Sequence, residues 1–376
     1  MTDSLLVLIA TAVACSIVGV FVMLRNLAMI CDAISHSILL GIVLAYFISK
    51  DLQSPYLIIG ASIFGVITCA CIELLSKTRF ITQDTSVGIV FPMFFSIAVI
   101  LISVYAKNVH IDTDVVLMGE VIMAPFNRLE IFGLDLPRSL WIMSFVIIAN
   151  LIFIGIFYRV LNISSFDRIF ASMVGISTSI LYYCLMAMVS LTAVASFESV
   201  GAILTISFFV APAASAYLLS KDMKRTIVLS LIYAVLNTCL GFFLAWMWNL
   251  SISGMCATIS GITFILTLLF CPDGIIVRKI SHYKKRAKFT KEMIVLHMDN
   301  HSKADNMYAE LGISSMKHHF NWSGFRLSKY MNSLQKEGYV NKDDKMGVYT
   351  LTQKGRKYQK DIRCNYGLIE PDRIIY

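Results

Sequence analysis

Asp32 and His36 stand four residues apart in Cys31-Asp32-Ala33-Ile34-Ser35-His36, within a stretch that is otherwise largely apolar. Spacing of four sets both side chains on one face of a helix. A carboxylate with an imidazole suits borderline divalent cations such as Mn, Fe or Zn. An ionisable residue inside a membrane is costly to place and is a functional candidate by default. Spacing alone leaves a second reading open, a structural Asp–His hydrogen bond holding two helices together. Glu120, in Leu117-Met118-Gly119-Glu120, is a third candidate metal ligand, set against the alternative of a solvated loop acid.

A second group of residues could carry force rather than bind an ion. Phe166–Ile176 is short and amphipathic, and reads either as an ordinary interfacial helix or as a docking helix for a soluble partner. A third group could contact phosphates: Arg326, Lys329, Lys345 and Arg356, with further lysines around them. The alternative is a solvated domain held near anionic lipid by the basic run Arg278–Lys288. His297, His301, His318, His319 and Cys364 could form a metal-sensing site, against the commoner reading of surface histidines. No GxxxxGK[ST] loop, HExxH or GxSxG motif occurs, so no catalytic residue is assigned and nucleotide hydrolysis is not expected of this chain alone.

The elements that must position these groups follow from composition. Of 376 residues, 57% are hydrophobic and 15% charged, where a soluble domain carries about 25% charged residues. Residues 1–277 hold 12 Lys+Arg and 14 Asp+Glu, giving −2. Residues 278–376 hold 20 and 10, giving +10. The two parts therefore face different solvents. Apolar runs near 4–24, 28–48, 55–75, 87–106, 139–160, 177–196, 199–219, 226–249 and 253–271 each approach the roughly 20 residues that a membrane span requires. One re-entrant segment would reduce nine to eight. Lys and Arg fall in alternate gaps, which places the N-terminus outside, the C-terminus inside and the long loop 107–138 outside. The nine cysteines show no CxxC pair and sit mostly in apolar runs, as small apolar residues.

The expected fold is an all-α polytopic membrane bundle of about eight or nine spans with a small C-terminal α+β domain. The divisions are 1–277 for the bundle, 278–288 for a basic juxtamembrane linker and 289–376 for a cytoplasmic domain. In the last, Phe325–Lys336 reads as a helix stopped by Gly338. Tyr339-Val340, a polar turn at Asn341–Lys345 and Val348–Leu351 read as a hairpin. A helix over Thr352–Asp361 follows, with Thr352 as its cap. That order is the pattern of a winged helix.

Four stretches resemble the permease subunits of ABC-type zinc, manganese and iron uptake systems. They are Leu24–His36, Asp84–Phe91, Phe166–Ile176, and Val200–Leu204 running through Pro212–Ala216. The resemblance implies ATP-driven import of a divalent metal as cargo, with no permanently bound cofactor. It implies a cytoplasmic ATPase dimer, an extracytoplasmic metal-binding protein and a second permease subunit, identical or paralogous, as partners. Asp32 and His36 match the family's metal pair. Gly119-Glu120 stands where many members have Gly-Asp. Phe166, Asp167, Ala171 and Gly175 match its ATPase-coupling segment. About 90 residues follow where the family usually ends, and Leu334–Val340 with Tyr349–Arg356 resemble the winged-helix domain of iron- and manganese-dependent repressors. The reading that follows is a metal-import permease of the inner membrane, working by alternating access around Asp32 and His36. The rivals are a membrane-tethered, metal-responsive DNA-binding regulator and an ion-coupled secondary carrier.

Overall fold

The computed structural model describes residues 2–50, 56–78, 80–105, 128–131, 134–302, 311–343 and 348–368. Contacts divide the chain into two units, 1–275 and 276–376.

In the first unit the helices are α1 (Thr2–Leu24), α2 (Ala28–Ser49), α3 (Tyr56–Ser76), α4 (Gln83–Tyr105), α5 (Arg138–Phe166), the short α6 (Arg168–Met173), α7 (Thr178–Val200), α8 (Ala202–Leu219), α9 (Met223–Trp248) and α10 (Ile252–Phe270). Among the described residues nine helical segments are long and apolar enough to cross a membrane. Helices are the necessary form, because hydrocarbon offers no partner to a free backbone N–H or C=O. α1 is buried almost all round and packs against α5, α7, α8 and α9. α2 packs on α3 and α4. Ile59, Ile63 and Ile67 on α3 and Ile148, Ile152 and Ile156 on α5 stay exposed, as lipid-facing positions do.

Two boundaries differ from the sequence reading. α5 runs on to Phe166, past the apolar run that ended near 160, so it leads directly into α6. The end of the expected loop 107–138 is an antiparallel hairpin, β1 (Arg128–Ile131) with β2 (Leu134–Pro137), in register Arg128↔Pro137. Its strands are too short for their alternation to stand out. Arg128 bonds Asp135 at 2.7 Å and also pairs with Asp3 at the start of α1.

The seating of α2 depends on small residues. A Cβ at Gly41 would lie 2.7 Å from Phe64 Cβ, 2.8 Å from Ala61 Cα and 2.9 Å from the Gly60 carbonyl. Gly60 in turn faces Ala45. Close backbone approach through small residues is how helices associate in lipid. Gly41→Leu is expected to cost about 1–3 kcal/mol by overpacking and to lower the melting temperature in detergent. Gly155→Leu, where an added Cβ meets nothing within 4 Å, serves as the control. Equal melting of the two variants would remove the packing argument.

The second unit contains α11 (Ile275–His301), α12 (Ile313–Phe320), α13 (Gly324–Lys336), strands β3 (Val340–Asp343) and β4 (Val348–Leu351), and α14 (Gln353–Asn365). The segment 278–288 is helical throughout, as part of α11. Leu327, Met331 and Leu334 line the buried face of α13 and pack with Ile294, Val295, Met298, Met316 and Ile362. Gly338, at φ +77°, ends the chain's helical course after α13, a conformation open to glycine without a Cβ penalty. Asn341, Lys342 and Asp343, read as turn, instead pair with Thr350, Tyr349 and Val348. Their side chains are exposed, so the strand carries no apolar alternation to reveal it. Thr352 caps α14 by accepting from the Gly355 N–H at 3.1 Å. Asp299 accepts from Arg363 at 2.7 Å and Gln359 at 2.9 Å, which ties α11 to α14. Burial, then the Glu292 carboxylate, pushes the Tyr358 phenol up to about 12.

Candidate functional site

Asp32 and His36 lie one turn apart near the start of α2, with Asp32 Oδ1 3.6 Å from His36 Nε2. That distance is too long for a hydrogen bond, so neither group is consumed by the other. The pair is partly open: Asp32 is 40% exposed and His36 28%, whereas Cys31, Ala33 and Ile34 beside them are buried. The His36 ring meets Phe91 at 5.2 Å and Phe95 at 6.1 Å, both on α4. An oxygen and a nitrogen donor thus share one face, bordered by aromatic walls. Such a pair can supply two ligands to a borderline divalent ion. With side chains as they stand, the described residues include no group of three or more His, Cys, Asp or Glu that could hold one. Glu120 lies outside the described residues.

At the same end of α2 a cavity of about 200 Å³ opens between α2, α3, α4, α6 and α7, with Leu27, Ile30, Glu73, Lys77, Gln83 and Arg168 in its lining. Glu73 and Lys77 pair at 2.8 Å. Glu73 is a lining residue that the sequence analysis did not single out. The signal was there, since Glu73 is an acid inside an apolar run.

The coupling candidates form one compact turn. Phe166 ends α5 and is exposed. Asp167 caps α6, its Oδ1 accepting from the Phe170 N–H at 2.9 Å. Ala171 is fully buried, while Ile169, Phe170 and Met173 face outward. Gly175, at φ +84°, turns the chain as Ile176 N–H donates to the Ala171 carbonyl at 3.0 Å, the glycine-ended helix stop. So Ala171 anchors α6 and an apolar face is left uncovered.

Arg25 joins these two regions. It sits in the turn between α1 and α2, seven residues before Asp32. Its Nε donates to Ser165 Oγ at 3.2 Å and its Nη2 to Ser164 Oγ, both in the last turn of α5. Burial, and then Arg168 nearby, lowers its guanidinium pKa to about 10, so it stays charged at neutral pH.

In the second unit the phosphate-contact candidates are engaged locally. The Arg326 guanidinium lies 4.9 Å over the Trp322 ring. Lys329 Nζ donates to the Tyr283 hydroxyl at 3.4 Å. Arg356 is exposed, and Lys345 lies outside the described residues.

Residues 1–271 match the model of the ABC 3 transport family. The chain is 38% identical over 340 residues to the zinc transport system membrane protein TroD of Treponema pallidum, covering 90% of this chain and 92% of that protein. Such coverage must reach beyond the bundle into the second unit. It is 38% identical over 274 residues to the manganese transport system membrane protein MntD of Bacillus subtilis, covering 72% and 92%. Among solved structures it is similar to PsaBC from Streptococcus pneumoniae in complex with Fab, at TM-score 0.62 and 27% identity, covering 75% of this chain and 94% of that one. With the helical bundle, the family match over residues 1–271 and these relatives together, the chain belongs to the ABC 3 transport family of membrane permeases.

Proposed function

We propose that this chain is the membrane-spanning subunit of an ATP-driven importer of a divalent metal, zinc or manganese first and iron third, with Asp32 and His36 holding the cargo in transit. The observation that carries the reading is an open carboxylate–imidazole pair on α2 in a chain whose relatives are named as zinc and manganese transport proteins. The turns at Arg25, Lys77 and Arg168 gather around one end of the bundle, and the positive-inside rule makes that end cytoplasmic. The outward apolar face of α6 is then where a cytoplasmic ATPase docks. A second permease subunit completes the pathway, and an extracytoplasmic binding protein delivers the ion. Alternating access follows as ATP-driven motion of α6 tilts the helices around α2. The element order of the second unit supports a winged-helix reading of residues 289–376. The tethered-regulator alternative is not favoured, since the relatives reported above are transport-system proteins and one of them matches into that unit.

The test is uptake of radiolabelled Zn, Mn and Fe into proteoliposomes holding this chain, its ATPase and its binding protein. Accumulation is expected only with ATP. Equal accumulation by the chain alone, without ATPase, would make it a secondary carrier.

A further inference from the structure

We infer that His297, His301 and His319 form a binding site for a nitrogen-preferring divalent ion of the zinc class, in the second unit and independent of the transport reading. His297 and His301 are four apart on α11, the spacing that sets two imidazoles on one helix face. His319, from α12, meets both. The ring centroids lie 4.4 Å apart for His297–His301, 5.2 Å for His297–His319 and 5.6 Å for His301–His319. Three imidazoles bound through nitrogen at about 2 Å in a tetrahedral arrangement have centroids about 5 Å apart. The helices therefore already stand at the right separation. The rings' present orientations hold no ion, so binding needs rotation of the side chains.

Other surroundings fit this assignment. His297 and His301 are half-buried and His319 is exposed, which gives an ion access from solvent on one side and a packed floor on the other. Three protein nitrogens leave a fourth position for water. An all-imidazole set suits Zn and disfavours Mn, which prefers oxygen ligands. The His297 ring also lies 4.9 Å from Phe320, which stacks on Trp322 at 4.6 Å, and Trp322 carries Arg326. An ion that staples α11 to α12 therefore bears on the first turn of α13. His318 and Cys364, both exposed, are not part of the ring cluster.

The experiment uses the full chain in detergent, with Asp32→Asn and His36→Gln in place so that the transport pair contributes nothing. Zn2+ titration by calorimetry is expected to show one equivalent per chain. His319→Ala, at an exposed position, should weaken it at least tenfold, and His318→Ala should leave it unchanged. Mn2+ should bind at least tenfold more weakly than Zn2+. Absence of the equivalent, its survival in His319→Ala, or equal loss in His318→Ala would overturn the site. Binding of Mn2+ as tight as Zn2+ would overturn the nitrogen-ligand assignment.

Discussion

Asp32→Asn is expected to cut ATP-dependent metal uptake at least about tenfold while the complex still assembles and melts as before. Loss of even an outer-shell partner of a metal ligand typically costs 10–100-fold in affinity or activity, and loss of a ligand itself should cost no less. The amide keeps the volume and one acceptor oxygen of the carboxylate but loses its charge, which is the larger part of its attraction for a dication. Folding should survive, because Asp32 is 40% exposed and makes no hydrogen bond to His36 at 3.6 Å. His36→Gln should act in the same direction by removing the nitrogen donor. Its ring packs beside Phe91 and Phe95, so a small loss of thermal stability is expected there as well. The measurement is initial uptake rate in proteoliposomes, beside a melting curve. Wild-type uptake in Asp32→Asn would take the pair out of the pathway.

Arg25→Ala should separate ATP hydrolysis from transport. The guanidinium fastens the turn that leads into α2 to the last turn of α5, where α6 begins. Hydrogen bonds from a charged group contribute about 1.5–3 kcal/mol, and a coupling of 1–3 kcal/mol corresponds to roughly 5–150-fold. Uptake per ATP is therefore expected to fall by about that range, with hydrolysis retained. Truncation leaves no orphaned hydroxyl on the α5 side, because Ser164 and Ser165 also donate to the Leu161 carbonyl at 3.3 Å and 2.6 Å. Arg25→Lys should recover only part of the coupling, since one ammonium cannot reproduce the fork that reaches two serines. Unchanged uptake per ATP in Arg25→Ala would mean that α2 and α6 communicate by another route.

The membrane bundle was legible because its signal is local. Each apolar run is long enough to be read by itself, and lipid admits no form but a helix for such a run. The closeness of Asp32 and His36 was legible for the same reason, since it follows from the helical period. The ends of α13 and α14 were readable from Gly338 and Thr352, whose conformational and capping preferences act within a few residues. Strand extents were harder. In β1, β2 and β3, the last with its exposed stretch Asn341–Asp343, the strands are four residues long, too short for alternation to exceed chance.

Composition and helical period, acting within a window of twenty residues, were enough to establish a polytopic bundle, a basic and less apolar second unit and one face carrying a carboxylate and an imidazole. The fold in space decided the rest. It brought His36 against Phe91, Arg25 against Ser164 and Ser165, and His319 against His297 and His301, while leaving His318 and Cys364 outside that cluster. Each of these contacts depends on the rotation and register of one helix against another. That register is set by close packing, as at Gly41 and Gly60, and packing between distant segments leaves no periodic mark along the chain.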